Sequence, residues 1–355
     1  MIKKKSIIYP FDNKSIPYVK FKKLFINYEI AEVCSPPGWG IAGNKKFLND
    51  LPVKISSDFK KSVENCEAVI FTLPRKLFLD IELIISKIKY AAKKGKKIVV
   101  MFDLYDREKL VRDVCEEYGV DLEYYKDMAI NYNQLNKYII NLEEFTAPII
   151  FVAGDKEDLN KFEIQLLLKD NFEEEGYKVS QIGSRSGCEI LGFHSFPEFM
   201  FNLKNEEDKV YVFNKFIRHI EKTEKPDLII IGIPGGAFPL RENSKENLGI
   251  KHFMVSKSIT PDFVVHCMMN NINEDVINYS SKNKFGYDVD CYCVVNKEVE
   301  LRDTGESFYV VNKSDVTKKV LKMNEKGFVA YDITNEFHRK KISDFAIDML
   351  CKNGV

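Results

Sequence analysis

The 355-residue sequence carries 53 basic and 53 acidic residues, so no overall field holds a polyanion or an anionic membrane, and nucleic acid is an unfavoured partner. Its length predicts two domains, each able to bury a core. The apolar start stops at Pro10, too early for a signal h-region, and no later stretch nears the roughly 18 apolar residues of a membrane span, which predicts a cytoplasmic protein without a membrane partner. The eight cysteines are scattered through the chain, and in that compartment they are expected as free, mostly buried thiols.

In chain order, short apolar runs alternate with helical patterns, the signature of βαβ units and mostly parallel sheets. Ser6–Tyr9 reads as a strand stopped by Pro10, and Tyr28–Cys34 as a second, followed by the loop Ser35-Pro-Pro-Gly-Trp-Gly-Ile-Ala-Gly43. Ala68–Leu73 and Lys97–Phe102 read as strands, and Phe78–Lys94 and Arg107–Tyr118 as helices, with Gly95 and Gly119 as terminators. The apolar run Ile149–Ala153 opens a new series. A helix is expected over 161–175, a strand over Tyr177–Ile182, a long helix over 206–222, and a continuous buried strand over Pro226–Ile231. Phe253–Ser256, Phe263–Met268 and Asp290–Val295 complete the expected core strands. The predicted fold class is α/β: an N-terminal Rossmann- or flavodoxin-like domain over 1–145, then a P-loop-like domain with a parallel sheet and helices on both faces over 146–355.

The segment Gly154-Asp-Lys-Glu-Asp-Leu-Asn-Lys161 follows a buried strand and opens a helix. That placement suits an anion, because backbone N–H groups and the helix dipole face it. A standard phosphate loop has Gly before the lysine and Ser or Thr after it to hold magnesium. Here those positions are Asn160 and Phe162, and Asp155, Glu157 and Asp158 add negative charge. A capped helix start with Lys161 exposed is the other reading. Gly232-Ile-Pro-Gly235-Gly236 ends the expected central strand, where glycine lets a ligand approach the backbone.

Gly154 with Lys161, followed by Pro226-Asp-Leu-Ile-Ile-Ile-Gly-Ile-Pro-Gly-Gly-Ala-Phe-Pro239, resembles the dethiobiotin synthetase group of P-loop folds. Two departures stand at the magnesium ligands, which correspond to Phe162 and Ile231. A resemblance over nearly the whole chain is carried by Ser35-Pro-Pro-Gly-Trp-Gly, Asn160-Lys-Phe-Glu-Ile-Gln165, Gly176-Tyr-Lys-Val-Ser-Gln-Ile-Gly-Ser184, Gly192-Phe-His-Ser-Phe-Pro197, Ile233-Pro-Gly-Gly236 and Lys284-Phe-Gly-Tyr-Asp-Val-Asp290. These are similar to peptide maturation system proteins of clostridial type. The resemblance implies partnership with a radical SAM maturase and a small, ribosomally made, Cys-rich precursor peptide, as in bacteriocin-like natural products.

Several further residues are candidates. Arg185 suits a phosphate or carboxylate, and His194 could donate a hydrogen bond or shuttle a proton, although their glycine-rich surroundings equally suit a plain turn. Trp39, in a stiff Pro-Gly loop, could anchor a peptide or fold back over the sheet. Asp262, Asp288 and Asp290 stand near strand ends, and acid–base work would need two of them to meet. Cys291-x-Cys293 lacks the second matched pair of a zinc or iron–sulfur site, so no metal is expected. No Gly-x-Gly-x-x-Gly nicotinamide fingerprint follows a strand. The expected role is an accessory factor for peptide maturation. It would hold ATP or GTP through Gly154, Asn160, Lys161, Arg185, Gly235 and Gly236. The alternative is a nucleotide-dependent ligase or phosphoryl transferase.

Overall fold

A computed structural model of the chain describes residues 2–39, 51–73, 77–130, 141–202, 205–239, 248–302 and 305–352. The expected loop positions 40–43 lie outside them. The chain forms two compact units, Met1–Ile130 with Ser186–Ser195, and Asn131–Arg185 with Phe196–Val355. This division differs from the single break expected at 145, with 186–195 in the second half. Packing explains the returned segment: a Cβ at Gly187 would stand 2.3 Å from the Met101 carbonyl oxygen, so the backbone of this segment lies directly on the first unit's sheet end.

The first unit has six strands, β1 (Lys4–Tyr9), β2 (Tyr28–Cys34), β3 (Lys54–Ser56), β4 (Ala68–Phe71), β5 (Lys97–Val100) and β6 (Leu122–Tyr124). They pair in parallel in the order β3-β2-β1-β4-β5-β6, a doubly wound arrangement whose order reverses at β1. Helices α1 (Ile16–Lys20), α2 (Phe59–Glu64), α3 (Leu77–Lys93) and α4 (Glu108–Glu117) connect them. On one face Tyr9, Phe59, Phe71, Ile84, Ile88, Val100 and Val111 form the core. The turn after β1 is Pro10-Phe11-Asp12; Phe11 is fully buried, and Asp12 accepts from the Lys14 amide at 2.8 Å to start the next turn.

The segment returned to the first unit holds the two-residue strand β9 (His194–Ser195), numbered after β7 (Ile149–Gly154) and β8 (Val179–Gly183) of the second unit. The second unit continues with β10 (Leu228–Gly232), β11 (Phe263–Met269), β12 (Cys291–Val295), a hairpin of β13 (Lys297–Arg302) and β14 (Gly305–Val310), and β15 (Ala330–Asp332). Six of its strands run parallel in the order β15-β12-β11-β7-β10-β8, which places β7, the unit's first strand in sequence, at the centre. Ile229, Ile230 and Ile231 of β10 are all 0% exposed, as a strand covered on both faces requires. Each isoleucine contributes roughly 1.5–3 kcal/mol by burial. The unit's longer helices are α5 (Lys161–Glu174), α6 (Glu206–Glu224), α7 (Ile250–Ser258), α8 (Glu274–Ser280), α9 (Lys313–Glu325) and α10 (Glu336–Lys352). Phe253–Ser256, expected as a strand, lies in α7. Its apolar run is too short to fix a period, and Gly249 in the left-handed region starts the helix just before it.

Charge fastens α9 to the start of α8. The buried Glu274 carboxylate accepts from Lys319 Nζ at 2.6 Å and Lys326 Nζ at 2.7 Å. Burial would raise its pKa, but the two ammonium groups override that and hold it at about 2. A depressed carboxyl pKa contributes stability that is present above the unfolded value and lost as pH falls through the folded one. Glu274→Gln is therefore expected to lower the urea midpoint at pH 7, with the gap to wild type closing between pH 4.5 and 2; a gap independent of pH would refute the ion-pair origin.

Candidate functional site

At the C-terminal edge of the second sheet, β7 ends at Gly154. A Cβ there would stand 2.7 Å from the Cys267 carbonyl oxygen, closer than a side chain tolerates, and 3.1 Å from Lys161 Cδ, so glycine keeps the backbone of β11 and the lysine stem close at this point. Lys161 opens α5 and is 2% exposed, with Nζ donating to the Gly235 carbonyl. This overturns the exposed-lysine reading of the helix start. The Ala237 amide donates to the Gly154 carbonyl at 2.9 Å, so the two turns that flank the lysine are also tied to each other. Burial pulls the Lys161 pKa down to about 8, offset in part by the acidic groups around it.

Asn160 takes the left-handed conformation, φ 61°, that glycine adopts easily and asparagine tolerates. It makes no side-chain cap; its Nδ2 donates to Glu163 Oε2 at 3.0 Å instead. Gly235, φ 84°, provides the facing turn, and an added Cβ there would meet nothing within 4 Å. Gly236 follows it, buried. Arg185 leaves β8 at the same edge and lies 4.6 Å over the ring of buried Phe162. The structure thus gathers Gly154, Asn160, Lys161, Gly235 and Gly236, with Arg185 on the neighbouring Phe162.

The acidic loop is less repulsive than its composition suggests. Asp155 is buried and turned inward, accepting from the Met269 amide at 2.9 Å and bonding His266 Nε2 at 2.8 Å. With Asp155 as acceptor, Nε2 carries the proton, and Nδ1 of fully buried His266 has no hydrogen-bond partner among the described residues. Only Glu157 and Asp158 of the three acids are exposed. The hairpin braces this loop, since Lys297 Nζ donates to the Asp158 carbonyl at 2.6 Å and Lys156 Nζ lies 4.0 Å from the Phe308 ring centroid.

Phe162 and Ile231, where magnesium ligands would stand, are apolar and buried. Among the described residues no group of three His, Cys, Asp or Glu side chains could hold a metal ion. Cys291 and Cys293 share a face of β12, and Cys293 pairs in register with Cys267; burial pushes the thiols of Cys267 and Cys293 well up.

The remaining candidates stand elsewhere. Asp262 accepts from the Ile149 amide at 2.8 Å, at the N-terminal edge of β7 and therefore the opposite end of the sheet, where it serves pairing. Asp290 likewise accepts from Val264 N at 2.8 Å, and Asp288 lies near Lys282 at 3.2 Å. His194, half-buried, and Trp39 belong to the first unit. Trp39 closes a turn on the Pro36 carbonyl at 3.3 Å, and the adjoining Pro36 and Pro37 line a cavity of about 290 Å³ with Tyr9, Asp58, Phe59 and Lys87. Sequence reasoning missed the Asp155–His266 pair, which spans 111 positions. The available signal was an ionisable residue inside the otherwise apolar run Phe-Val-Val-His-Cys-Met-Met of β11.

No family model matches the sequence, and no curated protein matches it. Among solved structures, the chain is similar to a DUF1611 family protein from Anabaena variabilis ATCC 29413, with a TM-score of 0.62 and 12% identity over 98% of this chain and 100% of that one. This likeness supports the two-sheet α/β fold. Biliverdin reductase from Synechocystis sp. PCC 6803 matches at TM-score 0.28 and 12% identity over 42% of this chain and 47% of its own. Chloroplast FtsY from Physcomitrella patens matches at TM-score 0.33 and 12% identity over 74% and 86%. Neither of these two bears on the site.

A buried ammonium that meets one backbone carbonyl among the described residues is costly to the ligand-free protein. Its folded pKa of about 8 lies below the unfolded 10.5, so the unfolded chain binds the extra proton between those values and stability rises with pH across that window. Lys161→Met is expected to stabilise the ligand-free protein at pH 7 by about 1–3 kcal/mol, with the difference vanishing towards pH 10.5. Denaturant melts of both proteins from pH 7 to 10.5 test this, and a destabilised Met variant would contradict it.

Proposed function

We propose that the second unit binds a phosphate-bearing ligand, ATP or GTP, at Lys161, and that the protein serves as an accessory factor in maturation of a ribosomally made, Cys-rich peptide. The observation that carries the ligand reading is the buried Lys161 ammonium held between the Gly154 and Gly235 turns at the C-terminal edge of a parallel sheet, where open α/β sheets place ligands. A phosphate would take over the ammonium from the Gly235 carbonyl, with the loop before α5 presenting its helix N-terminus. The open side of Gly235 leaves room for that approach, and Arg185 adds a cation at the same edge. The inward turn of Asp155 removes one of the charges that would resist the anion.

Phe162 and Ile231 offer no oxygen to magnesium, so the residues present do not fit a metal at those two positions, and an accessory role is favoured over ligase or phosphoryl-transfer chemistry. The peptide part of the reading rests on the motif resemblance, with the precursor peptide or its radical SAM maturase as partner. Trp39 is the chain's one tryptophan and sits beside a cavity of its own unit, so its emission reports on that surface.

Calorimetric titration with ATP, GTP and ADP, with and without magnesium, is expected to show binding that Lys161→Ala abolishes and that magnesium leaves unchanged. A bound phosphate raises the Lys161 pKa, so affinity should be level below pH 8 and fall by up to about tenfold per unit above it. Binding that persists in Lys161→Ala would refute the ligand reading. Titration with a Cys-rich precursor peptide should shift Trp39 emission; an unchanged spectrum together with no co-elution would remove the peptide partner.

A further inference from the structure

His252 stands on α7, fully buried, and neither ring nitrogen has a hydrogen-bond partner among the described residues. Buried polar groups in folded proteins are nearly always paired, and an imidazole with both nitrogens idle is a marked exception. Its position is fixed from two sides. At the helix start, a Cβ at Gly249 would stand 2.3 Å from the Ala237 carbonyl oxygen and 2.9 Å from Phe285 Cζ, so α7 begins in direct contact with the turn that receives Lys161. From the other side Phe285 packs on His252, with ring centroids 5.8 Å apart.

Phe285 ends a π-helical turn, Ser281–Phe285, a conformation often met at functional sites. Around it stand two more buried oxygens without partners among the described residues, Ser281 Oγ and Tyr287 Oη. The Tyr287 ring lies 5.6 Å from that of Phe285. Phe285 also stacks on Phe238 at 5.5 Å, and Phe238 on His266 at 6.0 Å. One aromatic column therefore links His252 to the Asp155-bound His266 at the loop.

We propose that His252 is a ligand-binding residue of the Lys161 site, donating a ring N–H to an anionic oxygen, phosphoryl or carboxylate, of the molecule that Lys161 holds, with the Tyr287 hydroxyl as a second donor. This rests on the reading of Lys161 as an anion-binding group. The sign of the local charge fits it: after burial, the influences on His252 are Lys161, His266, Lys284 and Lys251, all cationic when charged, and together they keep the imidazole neutral. A neutral imidazole donates from one nitrogen without adding a cation, and an anion is the partner that a surrounding of lysines favours.

The test is ¹⁵N NMR of the five histidine imidazoles in the full-length protein, with His252→Phe assigning the signal, during titration with inorganic pyrophosphate and, separately, malonate. The expected result is a shift of a His252 nitrogen on adding pyrophosphate, and at least tenfold weaker pyrophosphate binding in His252→Phe. A shift with malonate alone would identify a carboxylate as the oxygen source. If Lys161→Met abolishes binding but the His252 signals stay still in wild type, the His252 assignment is overturned and the Lys161 reading stands. If the shifts survive in Lys161→Met, the Lys161 reading fails and His252 takes an anion without it. The wild-type titration decides the matter even where His252→Phe does not fold.

Discussion

The second unit is organised around one side chain that water does not reach. Lys161 needs a glycine at 154 to let its stem lie close, a carbonyl at 235 to meet its charge, and an α5 that begins at the lysine itself. Those demands fix the ends of the two central strands relative to each other. They also explain why the Ala237 amide closes back on Gly154, since a loose loop at either turn would admit water to the ammonium. An arrangement that loads a buried cation onto one carbonyl among the described residues is poor for stability alone, and it resembles the strained settings that functional sites keep.

Much of the frame is legible from periodicity and punctuation. Tyr28–Cys34 has the bounds expected of it, and the isoleucine run of β10 announces a strand covered on both faces. The lysine at the head of α5 and the glycine pair at 235–236 are visible as placement: strand, turn, helix. What the residues cannot reveal is direction. Asp155 reads as an exposed charge until its two partners, supplied by a strand more than a hundred positions later, draw it inward. Asp262 looks like a free carboxylate at a strand end, and the end proves to be the wrong one. His252 carries no local signal, because a short stretch that reads as a strand is a helix whose buried side the surrounding loops determine.

The doubly wound first unit shows the limit of reasoning from topology. Its sheet order is that of a dinucleotide-binding fold, yet the turn after β1 holds Pro10 and a buried Phe11 where such a fold would bring bare backbone to a pyrophosphate. A cavity among the described residues of this unit lies beside Pro36 and Pro37. Fold and site have parted company here, and the second unit keeps more of the phosphate-loop layout than the first keeps of the dinucleotide one.

The hairpin that braces the loop has a consequence for how the chain is made. Asp158 is held by Lys297, 139 positions further on, and Lys156 by Phe308. During synthesis from the N-terminus, β7 and α5 leave the ribosome long before the ribbon that steadies the turn between them. A nascent chain lacking the ribbon has its sheet centre and no brace on the turn, so the loop before Lys161 is among the last parts of the molecule to take shape.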